Sequence, residues 1–128
     1  MAAEIANSGK AKTVHLLLSH THWDHIQGLP FFAPAYMPQA SVVICGSAKK
    51  EFFLEQVLRG QMDNEYFPVE MSAFQASVSI REITEDSMRV GGMVIDWQEQ
   101  VLHPGGCVRF RFRLGDSTLV YASDVEMD

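Results

Sequence analysis

Four residues with metal-binding side chains fall within six positions near the start of the chain: His20, His22, Asp24 and His25. They follow a nearly continuous apolar run at residues 14–19, which has the length of a β-strand. Side chains two positions apart in an extended segment point the same way, so the first two histidines can approach one metal ion while the last two residues face a second. Imidazole nitrogen and carboxylate oxygen are ligands of Zn²⁺ and related ions. The spacing therefore predicts a metal centre.

One nearby histidine lies outside this cluster. His15 lies inside the apolar run and outside the spacing of the cluster. A lone histidine is more often an ordinary hydrogen-bonded or surface residue than a metal ligand, so we expect His15 to be an ordinary strand residue.

The cluster and three other segments resemble motifs of the metallo-β-lactamase superfamily. Residues 20–25 read HTHWDH and resemble the HxHxDH signature of that superfamily, and residues 26–32, IQGLPFF, are similar to its ribonuclease Z-like and cyclic phosphodiesterase-like branch. Residues 101–106, VLHPGG, resemble the segment with the third histidine of the first metal site. Residues 119–124, LVYASD, resemble the strand that ends in the bridging aspartate. The resemblance covers roughly residues 13–126.

This resemblance implies six metal ligands: His20, His22 and His103 for one metal ion, Asp24 and His25 for the other, and Asp124 as the bridge. It also implies two Zn²⁺ ions, with Mn²⁺ or Fe²⁺ as alternatives because the same ligands serve all three. Two such ions about 3.5–4 Å apart activate a shared water or hydroxide. Asp24 can orient that water as a general base.

The implied function is metal-dependent hydrolysis of a small-molecule phosphodiester or related ester. A thioester or lactone hydrolase of the same superfamily is an alternative, because the walls of the pocket set the choice of substrate. A second alternative is a metal-binding module or partner subunit that does not catalyse a reaction.

The chain departs from the family pattern at both ends. Only about twelve residues precede the first motif, where family members have further strands, and no histidine follows Asp124, where they have another ligand of the second metal. We therefore expect a fragment, or a short form that pairs with another copy of itself or with another chain. Exposed sheet edges in such a fragment favour self-association into a homo-oligomer. The second metal ion should bind more weakly than the first.

Length and charge limit the class of protein. With 128 residues, 47% of them apolar, the chain suits one globular domain over residues 1–128. A formal net charge of −6 offers no general attraction for a phosphate backbone, so nucleic acid is not favoured as a partner. Two divalent ions would offset part of that charge.

Cysteine use and hydropathy limit the compartment. Cys45 and Cys107 lie in separate apolar stretches without CxxC spacing, which predicts two buried thiols rather than a disulfide or a cysteine zinc site. No segment has about 18 apolar residues in a row, and the N-terminal residues do not resemble a signal peptide. We expect a cytoplasmic protein without a membrane span.

The residue pattern predicts an α/β (α+β) fold of mixed sheets with flanking helices, and the resemblance implies a partial αββα sandwich. We expect a short helix within residues 3–12, a central strand buried on both faces at 14–19, and no long helix in the proline-containing residues 31–36. A strand at 41–45 and a helix at 48–59, with Ser47 as its N-cap, follow.

From residue 66 onward the residue pattern predicts a mostly antiparallel sheet. Short alternating runs occur at residues 76–83, 93–101, 108–114 and 118–122. Residues 109–113 and 117–121 are joined by Leu114-Gly115-Asp116, which is typical of a β-hairpin.

Overall fold

The structure is a computed structural model that describes residues 12–47 and 53–126. The chain forms two compact units, Met1–Glu82 and Ile83–Asp128. The first contains a three-stranded parallel sheet and the second a four-stranded antiparallel sheet. The prediction of a mixed α/β fold is confirmed at this level. The expectation of a single domain over residues 1–128 stays a prediction.

The sheet of the first unit has the order β1 (Lys12–Leu18), β2 (Ala40–Gly46), β3 (Ser77–Glu82). β2 is buried along almost its whole length, because its apolar, β-branched residues are covered on both faces. In β1 only Leu18 is fully buried. Both predicted strands are confirmed, but the prediction that residues 14–19 form the central strand is wrong: within the described sheet the central strand is β2.

The third strand corrects a second expectation. β3 pairs with β2 in parallel, whereas the sequence predicts mostly antiparallel sheet from residue 66 onward. About thirty residues separate the two strands, enough for the crossover that a parallel pair requires. The antiparallel prediction is correct for the strands that follow.

The helices of the first unit are short. Helix α1 spans Trp23–Ile26 and helix α2 spans Leu54–Gly60, with 3₁₀ helices at Leu29–Phe31, Ala33–Tyr36 and Met71–Ala73. The two 3₁₀ helices at residues 29–36 confirm that this proline-containing stretch forms no long helix. No helix in the described part of the chain is long and apolar enough to cross a membrane.

Helix α2 starts later than the sequence predicts. Phe53 has an extended conformation, with φ of −69° and ψ of 142°, and serves as the N-cap of α2. The backbone N–H of Leu54 donates a hydrogen bond to Glu82 Oε1 at 3.0 Å, so a carboxylate from the end of β3 caps the helix. The prediction of a continuous helix over 48–59 is therefore wrong at Phe53. Residues 48–52 lie outside the described residues. The same is true of residues 3–11, where the sequence predicts a short helix.

The core of the first unit lies between β2 and the helices. Its buried members are Leu18, Ile26, Leu29, Val42, Ile44, Leu54, Leu58, Met62 and Met71. Complete burial of an aliphatic side chain of this size contributes about 1.5–3 kcal/mol. The core thus includes residues at the end of β1 and in α1, on either side of the predicted metal-binding segment.

The second unit is an antiparallel meander of β4 (Ser87–Val90), β5 (Met93–Gln100), β6 (Cys107–Leu114) and β7 (Ser117–Tyr121). The predicted hairpin is confirmed: Leu114 pairs with Ser117 across a two-residue turn in which Gly115 has a φ of 56°. β4 was not predicted, because four residues are too few to establish an alternating pattern.

A shared carboxylate links β5 to β6 on the exposed face of this sheet. Asp96 Oδ1 lies 2.8 Å from Arg111 Nε, and Asp96 Oδ2 lies 3.0 Å from a terminal nitrogen of Arg113. Desolvation by itself raises the pKa of the Asp96 carboxyl, but the hydrogen bonds and charges of the two arginines outweigh it and hold the pKa below its ordinary value. The carboxylate therefore stays ionised at neutral pH and supports the strand register.

Both cysteines are buried free thiols, as predicted. Burial raises the pKa of the Cys45 thiol, and the positive charge of Arg81 offsets part of that rise. A thiol in this environment is a packing residue rather than a nucleophile or metal ligand.

Candidate metal centre

The predicted metal-binding segment begins at the carboxyl edge of the parallel sheet. Leu18, Gly46 and Glu82 are register partners at the ends of the three strands, and His20 follows two residues after the first of them. Ligand sites in open α/β sheets lie beyond this edge, because side chains from several strand ends converge there. The metal-binding segment therefore continues directly from the buried end of β1 at Leu18.

Close packing anchors the end of β1. A Cβ atom added to Gly46 would lie 3.3 Å from Leu18 Cβ and 3.2 Å from Leu54 Cδ2. The absence of a side chain at position 46 lets β1 and helix α2 approach each other over the end of β2. Leu18 is thereby held in place one residue before Ser19 and the histidines.

Three of the predicted ligands are close together in the first unit. The ring centroid of His20 lies 4.5 Å from that of His22 and 4.2 Å from that of His25. A ligand nitrogen of His20 lies within 4.8 Å of one on each of the other two rings. His20 is only 4% exposed, and the other two histidines are partly buried.

Neighbouring polar groups contact two of these rings. The Ser19 hydroxyl and Nδ1 of His20 are hydrogen-bonded at 3.1 Å, and both residues are buried. Asp24 Oδ2 lies 3.3 Å from Nε2 of His25, and the Asp24 side chain is 74% exposed. Asp24 is thus associated with His25 and is open to solvent, whereas His20 is held inside the unit.

The donor set suits a divalent cation of the zinc type. Two imidazole nitrogens bound to one Zn²⁺ at about 2.0–2.1 Å lie roughly 3–4 Å apart, and a nitrogen of His20 lies within 4.8 Å of one on His22 and of one on His25. Neutral imidazoles can share one cation, whereas protonated imidazoles at this separation would repel one another. The pair His20 and His22 and the pair His20 and His25 could each contribute to a group that holds a metal ion.

An apolar cavity of about 250 Å³ lies beside His25. Its other walls are Leu16, Leu18, Ile26, Gly28, Leu29, Phe32 and Leu58. Binding pockets commonly combine apolar walls with a few polar groups that orient the ligand. His25 is the polar side chain of this cavity and also a predicted metal ligand.

His103 begins a tight turn in the second unit, between β5 and β6. Its carbonyl accepts a hydrogen bond from the Gly106 N–H at 2.8 Å, Pro104 follows it, and Gly105 has a φ of 81°. Proline at the second position and a positive φ at the third are typical of a type II turn. The His103 side chain is 13% exposed, and Nδ1 lies 3.3 Å from Glu126 Oε1.

Asp124 follows β7, as the predicted motif requires, and its backbone has a φ of 49°. Its carbonyl accepts a hydrogen bond from Gln100 Nε2 at 3.2 Å. Since β5 ends at Gln100 and β7 ends at Tyr121, both His103 and Asp124 lie at the same end of the antiparallel sheet. Each is therefore held by its own unit in a defined backbone geometry.

Three contacts at these ligands were not anticipated from the sequence: those of Ser19, Gln100 and Glu126. Ser19 is adjacent to His20, so its position in the sequence was the available signal. Gln100 and Glu126 reach their partners across 24 and 23 residues, and no sequence motif marks either of them. The assignment of the six ligands stays a prediction.

No protein-family model matches the chain, and a search of curated proteins finds no relative. The resemblance to the metallo-β-lactamase superfamily therefore rests on its motif residues alone. Membership in that superfamily stays a prediction.

Proposed function

We propose that this protein is a metal-dependent hydrolase of the metallo-β-lactamase type that acts on a small-molecule phosphodiester or related ester. One observation carries the proposal: three imidazoles converge immediately beyond the carboxyl edge of a parallel sheet. A structural role would seldom need three imidazoles gathered there, whereas a metal centre does. The parallel and antiparallel sheets are, in this proposal, parts of the αββα fold that the resemblance implies.

The proposed ligand set is the one that the resemblance implies. It consists of His20, His22, Asp24 and His25, to which the two later motifs add His103 and Asp124. Divalent ions bound there, two Zn²⁺ in the complete set, would supply Lewis acidity and lower the pKa of a bound water toward neutrality.

The residues of the chain have distinct tasks in this proposal. The Ser19 contact engages Nδ1 of His20, so we expect His20 to bind metal through Nε2. The exposed carboxylate of Asp24 is suited to orient an attacking water and accept its proton. The apolar cavity beside His25 offers room for a small apolar part of the substrate.

Metal analysis and hydrolysis assays test the proposal. The purified chain is assayed for bound Zn and for cleavage of bis(p-nitrophenyl) phosphate with added Zn²⁺, added Mn²⁺ or EDTA. We expect metal-dependent release of p-nitrophenol that EDTA abolishes. His22→Ala protein purified in the same way controls for contaminating phosphodiesterases and should be inactive.

Other outcomes point to the alternatives. Metal binding without cleavage of any ester would replace the hydrolase by a metal-binding module. Cleavage of a thioester or lactone, but not of the phosphodiester, would change the substrate class and keep the metal chemistry. No binding of either metal would contradict the proposal as a whole.

A further inference from the structure

Two side chains at one end of the antiparallel sheet donate hydrogen bonds to consecutive backbone carbonyl groups, those of Ser123 and Asp124. Gln100 and Cys107 are register partners at this end, the last residue of β5 and the first of β6. Gln100 Nε2 donates to the carbonyl of Asp124 at 3.2 Å, and Cys107 Sγ donates to the carbonyl of Ser123 at 3.4 Å. The donors are 6% and 1% exposed, so water competes little for these bonds.

The residue held in this way has an unusual backbone. Asp124, with φ of 49°, is the one non-glycine residue with a positive φ in the described part of the chain. The left-handed region is unfavourable for residues with a Cβ atom, although aspartate tolerates it better than most. Such a conformation persists when surrounding contacts enforce it, and it sets the direction in which the side chain leaves the backbone.

Gln100 is an energetically unfavourable residue for a buried strand end. Its Oε1 is buried and has no hydrogen-bond partner among the described residues. A buried polar atom without a partner destabilises the fold, so an unbranched apolar side chain would suit this position better on stability grounds. The amide is therefore explained by its bond to Asp124 rather than by its contribution to folding.

We propose that Gln100 is a positioning residue: by holding the Asp124 carbonyl, it fixes the left-handed backbone that aims the Asp124 carboxylate at metal. The inference rests on the proposed function, since it takes Asp124 as a metal ligand. Residues that orient a ligand without touching the metal typically change metal affinity by about 10–100-fold when replaced.

The test compares two glutamines of the same strand and the same face. Gln100→Met keeps the length of the side chain and removes the donor, and Gln98→Met does the same to an exposed amide that accepts from Arg109 at 2.9 Å. Zn²⁺ affinity is measured by competition with a chromophoric chelator. Each variant is also made in an Asp124→Asn background, and the melting temperature of the metal-free protein is recorded.

We expect Gln100→Met to weaken Zn²⁺ binding about 10-fold and Gln98→Met to leave it within 2-fold. The metal-free melting temperature of Gln100→Met should equal or exceed that of the parent, which a merely structural role would not allow. In the Asp124→Asn background, Gln100→Met should have no further effect, because the carboxylate that it positions is already gone.

Two results would overturn the inference and leave the proposed function standing. One is that Asp124→Asn weakens binding while Gln100→Met behaves like Gln98→Met. The other is an equal loss from Gln100→Met in both backgrounds, which would mean that Gln100 acts through the fold. If Asp124→Asn itself leaves binding unchanged, the ligand assignment fails first and the inference fails with it.

A second variant covers the case in which Gln100→Met does not fold. Gln100→Asn keeps the amide but withdraws it from the Asp124 carbonyl by one methylene group. It is held to the same criteria: a loss of Zn²⁺ affinity that disappears in the Asp124→Asn background supports the inference, and an unchanged affinity overturns it.

Discussion

At the scale of single residues, the three clustered histidines differ in how firmly they are held. His20 is buried and hydrogen-bonded to Ser19, so its replacement would disturb packing as well as metal binding. His22 is partly buried and lies ahead of α1, outside the apolar core. It is therefore the better residue with which to test metal binding separately from folding.

His22→Ala should reduce the Zn content of the purified protein to a small fraction of the parent value, because a metal site that loses one of its few protein ligands binds much more weakly. His15→Ala is the matched control, since His15 is also partly buried but lies within β1, paired with Val43. Atomic absorption on both variants gives the comparison. An equal loss of Zn from both would mean that the cluster has been interpreted wrongly.

At the scale of elements, Gly46 connects the sheet to the metal-binding segment. It ends β2, pairs with Leu18 of β1 on one side and Glu82 of β3 on the other, and packs under Leu54 of α2. The turn at residues 103–106 has the corresponding role in the second unit, where it holds His103. Local backbone geometry thus supports a predicted ligand in each unit.

Gly46→Ala should destabilise the protein by about 1–3 kcal/mol, because the added methyl group must displace Leu18 and Leu54. Gly28→Ala is the control: a Cβ at Gly28 meets nothing within 4 Å and its φ is −79°, so we expect a change within about 0.5 kcal/mol. Urea unfolding of both variants provides the measurement. A Gly46→Ala protein as stable as the parent would contradict the close packing described here.

At the scale of the whole molecule, metal binding and folding should be linked. A ligand that binds only the folded chain stabilises it, by about 2.7 kcal/mol at a concentration 100 times its dissociation constant. The chain carries one tryptophan in each unit, Trp23 in the first and Trp97 in the second. Their fluorescence can therefore follow the unfolding of the two units separately.

Zn²⁺ should raise the unfolding midpoint reported by both tryptophans, because the ligand set that the resemblance implies includes His103 and Asp124 as well as the histidines near Trp23. Trp97→Phe leaves only the first-unit signal and Trp23→Phe only the second-unit signal, and EDTA should reverse both shifts. The measurement is thermal unfolding followed by fluorescence, with His22→Ala as a variant that should not respond. A shift confined to the Trp23 signal would remove His103 and Asp124 from the ligand set.

The residue sequence alone determined the features that depend on neighbouring positions. The spacing of His20, His22 and His25 after a strand and the hairpin closed by Gly115 are both local, so they could be predicted from a few adjacent residues. Burial of Cys45 and Cys107 followed in the same way from their apolar surroundings.

Only the tertiary structure decided which strand is central, where α2 begins and what holds the predicted ligands. The Glu82 cap on α2, the Gln100 bond to Asp124 and the Glu126 contact with His103 join residues 28, 24 and 23 positions apart. β3 likewise joins the parallel sheet only after a crossover that no local pattern reveals. These contacts arise when separate elements pack together, and neither helical nor strand periodicity encodes them.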